Sequence, residues 1–290
     1  MDILIGLIPA LAWGLLPIAA TKMGGKPSNQ ILGTTAGTLL VAIIVFLVLK
    51  PEISLQTVVL SALSGAFWVV GQIGQYTAYT RIGVSRTLPI STGLQLVGTS
   101  LIGVFVFGEW SSGFAGLDAA QARLIGFAAL AVLVLGVYLT AVQRGGSSQG
   151  VDARTLLLLF VTNFGYLAYS TIPDIVRAKG TAIFLPQAVG MAAAALLYVV
   201  ASGQRRAFFQ LESRKNILTG FLFAVAALTY ILSAQRNGVA TGFVLSQLNV
   251  VIATLAGILV LKEQKTPFEM KATLAGLLLI VAAASVTAFL

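Results

Sequence analysis

Cysteine and histidine are both absent from the 290 residues of the chain. Their absence excludes disulfides, haem ligation by histidine, zinc sites and nucleophilic triads that need either residue. Charge is also scarce, since Asp, Glu, Lys and Arg make up only 9% of the chain, against about 25% in typical soluble domains. An enzyme would have to work without these groups and with few acids. We predict that the chain is not an enzyme and that it holds no metal and no cofactor.

Hydrophobic residues dominate what is present, at 58% of the chain and a mean hydropathy of +0.96. Apolar runs of about 20 residues, the length of a helix that crosses a bilayer, recur from one end to the other. Helices are expected throughout, because an isolated strand cannot satisfy its backbone in lipid. We therefore predict an all-α integral membrane protein with ten transmembrane helices. Their approximate spans are 3–20, 31–49, 57–80, 86–108, 122–142, 155–173, 182–201, 216–235, 239–261 and 269–289.

The basic residues of the loops predict how the chain crosses the membrane. The net charge is +9, but Lys and Arg are scattered and form no dense patch, so no nucleic-acid partner is expected. Odd-numbered loops hold 13 of them and even-numbered loops hold 5. Because basic loops stay in the cytoplasm, we expect the odd-numbered loops inside and both termini outside.

Polar residues repeat between the two halves of the chain at an offset of 154 or 155 residues. The matched positions are Arg81 with Arg236, Gly83 with Gly238, Gln95 with Asn249, Gly103 with Gly257 and Glu109 with Glu263. The repeats are predicted to be residues 1–146 and 147–290, separated by a linker-like Gly and Ser segment. Five helices is an odd number, so the second copy would enter the membrane from the opposite side. The sequence thus predicts two inverted five-helix repeats, as in many secondary transporters.

A dense stripe of polar and aromatic side chains lies in the third span. Its members, at helical spacing, are Trp68, Gln72, Gln75, Tyr76 and Tyr79. Amides and phenols offer donors and acceptors to a hydroxyl-rich ligand, and aromatic faces cover its apolar side. The alternative is that these residues form hydrogen bonds between helices and only stabilise the bundle. We predict that the stripe belongs to a substrate site inside the membrane.

Further candidates for the same site come from four other spans. They are Trp13, Ser91, Gln95, Asn163, Tyr166 and Asn249. Asn249 matches Gln95 in the repeat, so the two amides are expected to face each other across the pseudo-twofold axis. Trp13 lies among Pro9, Gly14 and Pro17, where it is either a platform for stacking or a packing or lipid-facing side chain.

Ionisable residues are missing from the middle of every predicted span. The acids Glu109, Asp174 and Glu263 fall at helix ends, so each is a candidate for coupling or gating. We hypothesise alternating gate contacts, Glu109 with Arg236 and Glu263 with Arg81. The alternative is that these are separate interfacial charges, since exposed ion pairs contribute little. Either one acid couples transport to protons, or transport is facilitated diffusion.

Three segments together resemble the bacterial glucose uptake proteins of the glucose/ribose porter family, in the drug/metabolite transporter superfamily. They are Leu7 to Gly14, Ile82 to Thr99 and Val106 to Trp110. The resemblance implies a ten-helix bundle of two inverted repeats in the bacterial plasma membrane, and import of a monosaccharide. Glucose is the first expectation and ribose the alternative, with proton symport as usually supposed for the family. No binding residues are carried over from it.

Other functions are weighed against sugar import. Relatives in the superfamily export amino acids or drugs, but the lack of a central acid argues against cationic drugs, which need a counter-charge. An enzyme acting on lipids would need a nucleophile with a base, or a metal cluster. A receptor or assembly factor would carry extramembrane domains, and the spans leave no room for one. The expected partners are a monosaccharide, the lipid bilayer and, if transport is coupled, protons, while the oligomeric state is left open.

Overall fold

The computed structural model describes residues 2–110, 116–143, 151–176, 180–237 and 239–290. These residues form ten helices that are each long and apolar enough to cross a bilayer. The helices are α1 Asp2–Met23, α2 Pro27–Leu49, α3 Leu55–Ile82, α4 Val84–Phe105, α5 Ala119–Ala141, α6 Ala153–Val176, α7 Gly180–Ala201, α8 Ile217–Asn237, α9 Val239–Val260 and α10 Pro267–Ala288. The predicted all-helical, ten-span architecture is confirmed.

Helix ends differ from the sequence-based spans by a few residues. Helix α2 begins at Pro27, four residues early, because proline suits the first position of a helix and the Asn29 side chain accepts a hydrogen bond from the Lys26 backbone N–H at 2.9 Å. Helix α4 ends at Phe105, before the predicted residue 108. Gly108 has a φ of 71°, and the Glu109 N–H turns back to the Gly103 carbonyl at 2.9 Å.

Six helices surround a central cavity, namely α1, α3, α4, α6, α8 and α9. Helix α3 packs against α6 and α7, and α1 packs against α8 and α9. The remaining four helices flank this ring as two contacting pairs, α2 with α7 and α5 with α10. The core of the bundle therefore lies on the helices that line the cavity.

Two helix pairs, α2 with α8 and α3 with α7, touch backbone to backbone. Each contact sets a glycine over a carbonyl oxygen: Gly37 over Ile217, Gly220 over Thr34, Gly65 over Gln187 and Gly190 over Ala62. A Cβ added at these glycines would come within 1.8 to 2.2 Å of the oxygen. No larger residue fits, so glycine at these sites is required by the close approach of the helices.

The connection from α7 to α8 closes one face of the bundle. It contains a 3₁₀ turn, Arg205–Phe209, and a short helix, Leu211–Lys215. The Asn29 amide at the start of α2 donates hydrogen bonds to the Gln210 side chain at 2.7 Å and to the Ser213 hydroxyl at 3.0 Å. These bonds tie the seventh loop to the start of α2. We call this side, which also holds the turn at Gly83 and the segment 261–266, the odd-loop face.

Some predictions fall outside the described residues. They are the linker-like segment with the repeat boundary at residues 146 and 147, and the side chain of Asp174. The inverted relation of the two halves and the orientation of the termini stay predictions.

Candidate functional site

A cavity of about 290 Å³ lies between the six ring helices. Eight of the eleven predicted substrate residues line it: Trp13, Trp68, Gln72, Gln75, Tyr79, Gln95, Tyr166 and Asn249. They come from α1, α3, α4, α6 and α9, so residues far apart in sequence meet at one place. Their role in binding substrate stays a prediction.

A hydrogen-bond network fixes the amides on one wall of the cavity. The Tyr166 hydroxyl reaches the Oε1 atoms of Gln72 and Gln75, at 2.9 and 3.2 Å. Gln72 Nε2 donates to Gln75 Oε1 at 3.3 Å, and Gln75 Nε2 donates to the Ser91 hydroxyl at 2.9 Å. Each amide nitrogen thus uses one N–H in these bonds, which leaves its second N–H for a ligand. The wall is polar, neutral and pre-oriented.

Aromatic rings form the apolar parts of the cavity wall. Trp68 packs against Phe223 with ring centroids 4.8 Å apart, and Trp13 packs against Tyr230 at 5.7 Å. Each pair joins one ring from the first half of the chain to one from the second. Tilted aromatic pairs hold each other in place, and their exposed faces can cover the C–H side of a sugar ring.

Three predicted residues are not brought to the cavity wall. Tyr76 is fully buried, and its hydroxyl lies 2.7 Å from the Thr34 hydroxyl on α2. Because Tyr76 follows Gln75 by one residue, the turn of the helix points the Tyr76 side chain towards α2 and α8 and away from the cavity. Ser91 lies behind the wall, where it accepts a bond from Gln75. Asn163 is buried one turn before Tyr166, and its Oδ1 has no hydrogen-bond partner within the described part of the chain.

The cavity also has lining residues that sequence reasoning did not select. The polar ones are Thr92, Thr99, Tyr169, Ser170, Tyr230, Ser246 and Gln247, and the aromatic ones are Phe223 and Phe243. The sequence held a signal for one of them, since Phe223 follows the selected Trp68 at the repeat offset of 155. Extending the repeat alignment from Trp68 would have pointed to Phe223, whereas Thr92 and Ser246 match each other and neither was selected.

An acid lies at a helix N-terminus on the odd-loop face. Glu263 Oε1 accepts a hydrogen bond from the Val84 N–H at 2.6 Å, and Oε2 accepts one from the Ser85 N–H at 2.9 Å. Gly83 separates α3 from α4 with a φ of 79°, and a Cβ there would lie 2.9 Å from the carboxylate. The carboxylate thus caps α4, where the positive end of the helix dipole favours an anion.

The two predicted gate pairs are not tested by this geometry. Glu263 accepts bonds from backbone N–H groups with both oxygens, and its pairing with Arg81 stays a prediction. In the first half, Glu109 lies against α4, since a Cβ added at Gly103 would come 2.1 Å from its Oε2. The pairing of Glu109 with Arg236 stays a prediction.

A partly buried lysine lies beside the Glu263 cap. Lys265 Nζ donates to the Thr140 carbonyl at 3.1 Å and to the Thr273 hydroxyl at 2.8 Å, and so joins the ends of α5 and α10. Burial, followed by the nearby charge of Arg86, lowers the pKa of Lys265 to about 8, against the opposite effect of Glu269 and Glu263. Within the described ranges, no group of three His, Cys, Asp or Glu side chains could hold a metal ion.

Comparison with known proteins gives the family. The chain matches the family model described as "Sugar transport protein" over residues 4–290. It is 47% identical to a "Putative ribose uptake protein RbsU" of Latilactobacillus sakei, over 100% of this chain and 99% of that one. It is 41% identical to the "Putative sugar uptake protein lmo0169" of Listeria monocytogenes, over 97% and 96%. A solved crystal structure resembles it in fold, with a TM-score of 0.62, 17% identity and coverage of 99% and 96%. The chain therefore belongs to the sugar transport protein family.

Proposed function

We propose that the protein takes up a monosaccharide through the central cavity and that this sugar is ribose. The observation that carries the proposal is the cavity wall, where oriented amides and aromatic rings combine as a hydroxyl-rich ring requires. The names of similar proteins favour ribose, the alternative at the sequence level, over the glucose expected from resemblance. Glucose is the competitor that an experiment must include.

Size and charge of the cavity support a single neutral sugar. Its volume of about 290 Å³ lies just below the usual range for ligand pockets, about 300 to 1,000 Å³. The lining residues within the described ranges include no Asp, Glu, Lys or Arg. A zwitterionic amino acid or a cationic drug would meet no counter-charge there, so export of those substrates is disfavoured. Neutral hydrogen bonds also allow the substrate to leave as readily as it enters.

The proposed mechanism is alternating access between two inverted repeats, residues 1–146 and 147–290. The glycine contacts support it, because they come in equivalent pairs. Gly37 lies over the Ile217 carbonyl, and Gly190 lies over the Ala62 carbonyl. Gly190 follows Gly37 by 153 positions and Ala62 precedes Ile217 by 155, so the two contacts occupy equivalent positions in the predicted repeats. Trp68 and Phe223 are likewise counterparts, and their rings touch at the cavity. A substrate site between the repeats is the usual arrangement in such transporters.

In this mechanism Glu263 holds the odd-loop face closed. The count of basic residues supports a cytoplasmic position for this face, with both termini outside. Glu109 is the counterpart of Glu263 and is proposed to close the other face when the cycle reverses. Each repeat would then contribute one acid, and the two acids would act in alternation.

Uptake by purified protein in liposomes tests the function. We expect saturable uptake of labelled D-ribose, inhibited by excess unlabelled ribose and less strongly by D-glucose. Runs with and without a proton gradient separate symport from facilitated diffusion. No saturable flux of either sugar would contradict sugar uptake, and stronger inhibition by glucose would reverse the choice of substrate.

A matched pair of variants tests the site. Gln75→Ala removes a cavity amide, so we expect a severalfold increase in KM for sugar. Gln187→Ala removes an amide that is equally buried on α7 but bonds to Ser64 at 3.1 Å, away from the cavity. We expect this control to lower thermal stability and to leave KM unchanged. Equal effects of both variants on KM would contradict the assignment of Gln75.

A further inference from the structure

We propose that the hydroxyl of Tyr79 determines specificity in the sugar site, because its hydrogen-bond partner is a hydroxyl of the bound sugar. The proposal rests on the proposed function and names one contact within it. Tyr79 lies on α3 one turn beyond Gln75, towards the odd-loop face, and lines the cavity.

The Tyr79 hydroxyl is a buried polar atom without a protein partner. The side chain is 7% exposed, and among the described residues no donor or acceptor reaches its oxygen. Buried phenol groups normally find a partner, since a lost hydrogen bond to water is otherwise not replaced. Tyr79 lines the cavity, but its oxygen is enclosed in this structure. The proposal therefore requires the wall to shift when the sugar enters, so that a sugar hydroxyl reaches this oxygen and satisfies it.

Tyr76 shows what a structural tyrosine looks like in the same helix. It lies three residues earlier, and its ring centroid is 6.0 Å from that of Tyr79. Its hydroxyl is bonded to Thr34, whose own hydroxyl also contacts Thr219 on α8. The polar end of Tyr76 is thus satisfied between helices, away from the cavity, whereas that of Tyr79 is not. The two residues form a natural matched pair for mutagenesis.

The neighbouring polar groups do not supply the missing partner. Gln72, Gln75, Ser91 and Tyr166 are already bonded to one another. Leu88, which also lines the cavity, offers no polar atom. A sugar hydroxyl both donates and accepts, so it satisfies a phenol in either orientation. A site that provides such a contact rejects analogues that lack the hydroxyl, because the protein group then stays buried and unpaired.

The first test compares Tyr79→Phe with Tyr76→Phe in purified protein. Tyr79→Phe should raise KM for D-ribose about fivefold and should raise the melting temperature of the sugar-free protein, because an unsatisfied buried group is removed. Tyr76→Phe should leave KM unchanged and lower the melting temperature, because the buried hydrogen bond between Tyr76 and Thr34 is lost. If Tyr79 had only a structural role, Tyr79→Phe would also leave KM unchanged and lower the melting temperature.

The second test identifies the hydroxyl with D-ribose and its monodeoxy analogues as competitors. The unmodified protein should discriminate most strongly against one analogue, the one that lacks the hydroxyl bound by Tyr79. In Tyr79→Phe this discrimination should shrink about fivefold, while discrimination against the other analogues stays the same.

The outcomes separate the two proposals. Absence of saturable uptake of both D-ribose and D-glucose by the unmodified protein overturns the proposed function. Saturable uptake with unchanged KM and unchanged selectivity in Tyr79→Phe overturns the role of Tyr79 alone. Because the proposal requires Tyr79→Phe to be at least as stable as the unmodified protein, failure of this variant to fold also contradicts it.

Discussion

Replacing Glu263 by glutamine should open the cavity towards the odd-loop face. The carboxylate accepts hydrogen bonds from the Val84 and Ser85 N–H groups at 2.6 and 2.9 Å, and it holds the end of α9 against the start of α4. Glutamine keeps one acceptor oxygen but places its NH₂ group against the second backbone N–H. The variant therefore loses one cap bond and the favourable charge at the helix N-terminus.

The size of the effect follows from these two losses. A helix cap contributes about 0.5 to 2 kcal/mol, and a charge at a helix N-terminus contributes about 0.3 to 1 kcal/mol. Losing half of the cap and the charge gives about 0.5 to 2 kcal/mol. Since about 1.4 kcal/mol is a factor of ten in an equilibrium, the ratio of open to closed protein at this face should rise about 2- to 30-fold.

Cysteine labelling measures this ratio directly, because the chain has no native cysteine. Leu88 lines the cavity close to the start of α4 and is replaced by cysteine in both backgrounds. A membrane-impermeant thiol reagent is then applied to each side of oriented vesicles. Labelling from the odd-loop side should be about 2- to 30-fold faster with Glu263→Gln and slower from the other side.

The same replacement of an acid by its amide, at another position on this face, serves as the control. Glu212→Gln removes an acid from the short helix between α7 and α8, which packs against α2 and α8. It should leave the labelling rates unchanged. Equal rates for Glu263→Gln and the control, from both sides, would refute the closing role of Glu263. If Glu263→Gln changed the thermal stability but not the labelling rates, the cap would stabilise the fold without controlling access to the cavity.

Two further predictions concern packing and charge. Gly190→Ala places a Cβ 1.8 Å from the Ala62 carbonyl oxygen, so we expect a loss of about 1 to 3 kcal/mol, and an unchanged melting temperature in detergent would contradict this. Lys265 has a pKa lowered from 10.5 to about 8, so between these values the unfolded chain binds more protons than the folded one. Stability should therefore rise with pH from about 8 to 10.5, and melting curves of Lys265→Met should lack this rise.

The fold could be predicted from the sequence almost completely, because length and apolarity of a span decide whether it crosses a membrane. All ten spans are confirmed, and membership of a sugar transport family confirms that the protein is a transporter and not an enzyme. The error at the start of α2 came from reading Pro27 as a loop residue when it is the first residue of the helix.

The site could be predicted only in part. Helical spacing brought Gln72, Gln75 and Tyr79 onto one face, and the structure places all three at the cavity. Spacing could not show that Tyr76 turns to Thr34, because that depends on where α2 and α8 pack. The backbone partners of Glu263 could not be predicted, because a backbone N–H has no signature in the sequence. Only basic side chains can be recognised there as partners of an acid.

The glycine contacts also bear on how the sugar preference of this protein could be altered. Where α2 meets α8 and α3 meets α7, no atom can be added without pushing two main chains apart. We call these two glycine contacts, α2 with α8 and α3 with α7, the seams. Almost no substitution of the seam glycines should therefore be recovered from a library of variants. The side chains of the cavity wall are less restricted, since they border a cavity of about 290 Å³. Directed evolution towards another pentose or a hexose should accumulate its changes on the wall and leave every seam glycine in place.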